Sequence, residues 1–186
     1  MSKLPPVDIE YGLPPAVETL RSGWMSTLQS GAVVSSVLAG IEAQLLVFYT
    51  DPNNFGRPGV HSATQNAVKI LTYVALVCSI SATMSSLLLT DEFGEMPTRS
   101  ARYRQGRAEG GIFAGTDWNL LRAYKIRAGS KIIVYHWLIC LITACLCTIA
   151  STAVYAGTQE VLVVRIIVSI VAGVSALPLC WFVVPP

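Results

Sequence analysis

The chain has 186 residues, of which 53% are hydrophobic and only 13% charged, with a mean hydropathy of +0.55 and a net charge of +2. Ordinary soluble domains carry about a quarter of their residues as charges, so this composition excludes one greasy soluble core of the usual kind. The apolar residues gather in four blocks of span length, and the expected fold is all-α: a polytopic membrane protein with a four-transmembrane-helix bundle. Each span needs about 20 apolar residues to cross the hydrocarbon, which leaves no length for a separate soluble domain of ordinary size.

Residues 1–27 read as an N-terminal segment. Leu4–Pro6 and Leu13–Pro15 are Leu-Pro-Pro units expected to favour extended backbone, because paired prolines cannot sit inside a helix. No apolar run follows Lys3, so a cleaved signal peptide is not expected. From Ala16 a short helix is expected to run into the first span at about 30–49, with Trp24 in the headgroup zone. Gly31, Ser35 and Ala39 recur every four residues, with Gly40 in a second such row, and small residues at this spacing let helices approach closely. One acid, Glu42, lies well inside this span.

A Pro/Gly/Asn-rich turn over 50–60 leads to the second span, about 63–90. It carries Lys69 early and a hydroxyl-rich end, Ser79, Ser81, Thr83, Ser85 and Ser86. Such hydroxyls bond their own backbone or a neighbouring helix. Residues 91–131 are expected to form the long loop, acidic at DEFGE and then basic. Thr116 and Asp117 are expected to cap a short helix within it. Its cations, Arg99, Arg102, Arg104, Arg107, Arg122, Lys125, Arg127 and Lys131, suit contact with anionic lipid better than with nucleic acid. The third span, about 132–155, has the small-residue pair Ala144 and Thr148. The fourth, about 161–184, has Gly173 and a Pro178 expected to kink it.

Lys and Arg near the spans set orientation. Lys3, Arg21 and the long-loop cations oppose Arg57 alone, so both termini and the loop are expected in the cytoplasm. The spans hold Glu42, Lys69, His136 and Arg165. Helix rise puts the first two at similar depth, with Arg165 on the same side, an expected intramembrane charge cluster. A charge there costs about 2.5–3.5 kcal/mol on insertion scales. The bland reading, Glu42 paired with Lys69 or Arg165 as a structural staple, outweighs a glutamate ring or polar ion path, because two cations are at hand. His136, between Tyr135 and Trp137, fits an aromatic belt.

Cys78, Cys140, Cys145, Cys147 and Cys180 fall within the spans without zinc spacing, and read as packing residues. No Gly-rich phosphate loop, His-Glu-x-x-His helix or Gly-x-Ser-x-Gly elbow is present. No enzyme, cofactor or metal site is expected.

The segment SISATMSSLLLTDEFGEMP with the later VYHWLICL resembles small four-span membrane proteins of mushroom-forming fungi, a group that implies no activity. Glu42-Ala43-Gln44-Leu45 in a first span is similar, more faintly, to the Orai calcium channels, where the matching glutamate forms a selectivity ring. The chain departs from that family in the spacing of small residues before Glu42. The expected function is a non-enzymatic, self-associating membrane scaffold, a homo-oligomer whose basic loop contacts anionic cytoplasmic lipid. The alternative is an ion channel or transporter using Glu42.

Overall fold

A computed structural model of the chain describes residues 12–56, 62–102 and 116–183; Arg57, Arg104 and Arg107 lie outside them. Among the described residues every regular element is a helix. Helix α1 is Pro15–Thr50, a 3-10 turn follows at Pro52–Phe55, and α2 is Ser62–Arg102. Helix α3 is Asp117–Ala123, α4 is Ser130–Gln159 and α5 is Leu162–Val183. Three of these, α1, α2 and α4, are long and apolar enough to cross a membrane; α5 contributes a shorter apolar stretch, Leu162–Pro178.

Helix α1 starts with Pro15 in the first turn, where its missing N–H costs nothing, and continues through Trp24 without a break. It ends because Asp51 precedes a proline, which disfavours helical backbone. Asp51 is extended (φ −70°, ψ 117°), and its side chain accepts from Asn53 N at 2.9 Å to cap the 3-10 turn.

Contacts divide the chain into two compact units, one of residues 1–32 with 84–136, the other of 33–83 with 137–186. Buried positions in the long helices recur every seven residues. In α1 they are Leu28, Ser35, Glu42 and Tyr49; in α4, Ser130, Trp137, Ala144 and Ser151. In α2 two such rows run side by side, Val68, Ala75, Ala82, Leu89 and Met96 beside Thr72, Ser79, Ser86, Phe93 and Ser100. A seven-residue repeat is the spacing that keeps one stripe of a helix against a wrapping partner. The opposite faces expose Val33, Val37, Ile70, Val77, Ile139 and similar side chains, as a lipid-facing surface would.

The second unit closes at one end on aromatic rings. Tyr155 meets Phe48 and Phe55 edge-on and Tyr49 at a tilt, with centroids 5.2–5.5 Å apart, and its hydroxyl donates to Asn54 O at 3.2 Å.

In the first unit the structure departs from the expected loop at 91–131. Helix α2 runs on through DEFGEMPTRSAR to Arg102, with Pro97 inside it. Leu89, Phe93, Met96 and Ser100 continue the buried rows, and Trp24 stacks on Phe93 at 6.2 Å. Proline has no N–H to give the carbonyl four residues back, which here is Phe93 O. Arg21 Nε, from α1, donates to that carbonyl at 2.7 Å. A cation from another helix thus replaces the missing main-chain donor.

Thr116 caps α3, accepting from Asn119 N. At its other end Lys125 N donates to Arg122 O (3.1 Å) and Ile126 N to Leu121 O (3.4 Å), the paired bonds of a Schellman cap. The buried side chains of Leu121 and Ile126 complete it. The cap needs a left-handed residue, and Lys125 supplies it at φ 67°, where glycine would carry no Cβ strain.

Candidate functional site

Glu42 belongs to the second unit and lies on the buried stripe of α1, with 0% of its surface exposed. One heptad earlier, Ser35 Oγ and Thr83 Oγ1 of α2 are 2.8 Å apart, which ties α1 to α2 just before the acid. Thr148 Oγ1, from α4, donates to Glu42 Oε1 at 2.7 Å and also lies 2.9 Å from Ala144 O, the carbonyl one turn back in its own helix. Glu42 Oε2 is buried with no hydrogen-bond partner among the described residues. The thiols of Cys78 from α2 and of Cys145 and Cys147 from α4 lie within electrostatic reach of this carboxyl.

Thr148 also lines an apolar cleft of about 310 Å3 between α4 and α5. Ile149 and Thr152 continue its α4 wall, and Ile167, Val168, Val171, Ala172 and Ser175 form the other. One threonine therefore touches both the buried acid and the cleft.

The expected partners of Glu42 are placed differently. No ion pair joins it to Lys69 or Arg165 among the described residues. Lys69 is half-buried, and Arg165 keeps its Nε buried without a hydrogen-bond partner. The acid's polar contact comes instead from a hydroxyl on α4. Of the small residues singled out for packing, Gly31, Ser35 and Ala144 are buried, Ala39 and Thr148 half-buried, and Gly40 and Gly173 exposed. Trp137 is buried while Tyr135 beside His136 is exposed, so these neighbours face different surroundings.

The basic residues divide in the same way. Arg99 is held by Glu92 and Glu95, so it serves the fold of α2 rather than a free surface. Arg127 gives its backbone N–H to Glu92 Oε1 at 2.9 Å and its Nε approaches Glu92 Oε2 at 3.4 Å. Burial alone would push the Glu92 carboxyl up and is the largest single influence. The Arg99 hydrogen bond, the Arg127 N–H and the two positive charges together outweigh it and hold the carboxyl below its usual range. Arg99 is correspondingly raised, chiefly by its hydrogen bond to Glu92. Arg102 is half-buried, whereas Arg122, Lys125, Arg127 and Lys131 are exposed.

Among the described residues no group of histidine, cysteine or acidic side chains is arranged to hold a metal ion. The Glu42–Thr148 contact was missed in the sequence because it joins positions 106 residues apart. Its one local signal was the seven-residue spacing of Ser35, Glu42 and Tyr49 and of Ala144 and Ser151. Comparison with protein-family models, with curated proteins and with solved structures finds no match for this chain.

Proposed function

We propose that the chain is a non-enzymatic, multi-pass membrane protein that passes a small cation across the bilayer by way of Glu42. The observation that carries this reading is the Oε2 atom, buried at full depth with no partner and no paired cation among the described residues. Ionisable groups inside spans are expensive, and those retained usually mark an ion or substrate path. Helix α5 serves as the fourth span, its apolar stretch Leu162–Pro178 extended by the residues beyond Pro178. The excess of Lys and Arg over Arg57 favours a cytoplasmic position for both termini and the segment after α2. Ion flux into vesicles carrying the purified protein tests the reading. Flux that disappears in Glu42→Gln supports it, and wild-type vesicles as tight as protein-free ones sink it.

A second reading, a self-associating scaffold on anionic lipid, is favoured by the exposed Gly40 and Gly173, around which a Cβ would meet nothing within 4 Å. Such open small-residue faces admit another helix at close range, as in a homo-oligomer. The exposed Arg122, Lys125, Arg127 and Lys131 would meet the headgroups. A protein that stays monomeric in lipid nanodiscs and binds neutral and anionic vesicles equally would remove this reading.

A further inference from the structure

Helix α5 carries a single charged side chain, Arg165, three residues after its start at Leu162. Arg165 is half-buried, and its Nε is buried without a hydrogen-bond partner. No ion pair reaches it among the described residues. A guanidinium N–H taken out of water and left unpaired is costly, so this position calls for an anion from outside the chain.

The place of Arg165 on the helix ties it to the cleft between α4 and α5. Val168 and Ala172 line that cleft, and they follow Arg165 by three and seven residues, on the same helix face. Arg165 thus continues the α5 wall by one turn toward the start of the helix. Helical side chains lean toward the N-terminus, which turns the guanidinium toward the membrane surface while its stem stays on apolar ground.

The cleft itself suits an apolar occupant. Thr148 Oγ1 is engaged by Glu42 Oε1 and Ala144 O, and Thr152 Oγ1 donates to Thr148 O at 2.9 Å. Apart from Ser175 the remaining lining is aliphatic. The volume of about 310 Å3 is at the low end of the roughly 300–1,000 Å3 of ligand pockets. Arg165 to Ser175 covers about 15 Å of helix axis, so the occupant is long and narrow. Half of a hydrocarbon core of about 30 Å is the same length. The matching molecule has an anionic group at one end and an apolar chain one leaflet long.

We propose that α4 and α5 hold one phospholipid, its phosphate on the Arg165 guanidinium and one acyl chain in the cleft. Arginine meets phosphate oxygens through two parallel N–H bonds, and the acyl chain covers Ile149, Val168 and Val171. This rests on the reading of α5 as a span and is independent of whether Glu42 passes an ion.

The test uses the full chain in vesicles doped with a phosphatidylcholine that carries a photoactivatable diazirine on one acyl chain, with labelled residues mapped by mass spectrometry. Label should concentrate on the cleft residues of α4 and α5. Arg165→Gln should lower it about tenfold, the effect of losing one charge-assisted contact, and Arg165→Lys should retain most of it. A diacylglycerol with the same diazirine but no phosphate should label the cleft about tenfold less than the phospholipid. Ala172→Phe, which fills the cleft and leaves Arg165 in place, should remove the cleft label, and it decides the matter if Arg165→Gln fails to fold. Label spread evenly over the exposed Val163, Ile170 and Val174, unchanged in both variants, means bulk lipid only and overturns the proposal. Cross-links between two copies through α5 that exclude lipid also overturn it and assign the cleft to a second copy. Label on α1 and α2 with none anywhere on α5 removes α5 as a span, and the proposal with it.

Discussion

The contact between Arg21 and the carbonyl of Phe93 can be taken apart by two substitutions. Arg21→Met keeps an apolar stem but removes the guanidinium. In the parent chain this leaves Phe93 O, on a fully buried residue, with neither Pro97 nor Arg21 as a donor. Leaving a buried carbonyl unsatisfied costs about 1–3 kcal/mol. In a Pro97→Ala background the main-chain N–H that proline lacks is restored and supplies the ordinary intrahelical bond, so the same Arg21→Met change should cost far less. The Arg21–Glu18 pair is also lost, but Glu18 is exposed and this surface pair is worth about 0–1 kcal/mol. It is lost in both backgrounds and cancels in the double-mutant cycle. The expected coupling is therefore about 1–2 kcal/mol. Hydrogen exchange of residues 91–102, followed by mass spectrometry in micelles, would read it as a loss of protection of about 5–30-fold in the parent but not in Pro97→Ala. Equal losses in both backgrounds would refute the carbonyl's role and assign Arg21's effect to its stem or to Glu18.

The remaining predictions concern the same unit and the α1–α2 seam. Lys125→Gly should stabilise the end of α3 by about 0.5–1 kcal/mol, read as slower exchange of Ile126 N–H; faster exchange would contradict the left-handed cap. Because the Glu92 carboxyl is depressed in the folded state, its stabilisation is complete above the unfolded glutamate value of about 4.3. It is lost as pH falls below that value through the folded one. A pH titration of α2 protection should show this fall in the parent chain and not in Glu92→Gln, and a fall of equal size in both would remove Glu92 as its source. Ser35→Ala with Thr83→Val should show a coupling of about 0.6 kcal/mol, the average for such bonds between membrane helices. Strict additivity in unfolding by detergent titration would mean the 2.8 Å contact contributes nothing. Ser86→Ala removes a donor to Leu28 O and should cost about 0.5–1.5 kcal/mol, measured by the same titration; an unchanged midpoint would contradict it.

Composition alone pointed to helices long and apolar enough to cross a membrane, because a charge-poor sequence with apolar blocks of span length can satisfy its backbone in lipid only within each segment. Local chemistry was equally legible: Thr116 caps α3, and Pro52 stops α1. The continuation of α2 past Asp91 was not legible. An acidic and basic run with Pro97 reads as loop until Phe93, Met96 and Ser100 are buried and Arg21 supplies the donor that proline lacks. The partner of Glu42 was hidden for a related reason. Depth along a helix can be counted from sequence, and depth suggested Lys69 and Arg165. Which face of α4 turns toward α1 is set by packing of the seven-residue rows, and that packing brought Thr148, not a cation, to the acid. The sequence by itself determined that an acid lies in an apolar segment; only the tertiary structure decided that it meets the Thr148 hydroxyl there, because the packing of helix faces cannot be counted along one chain.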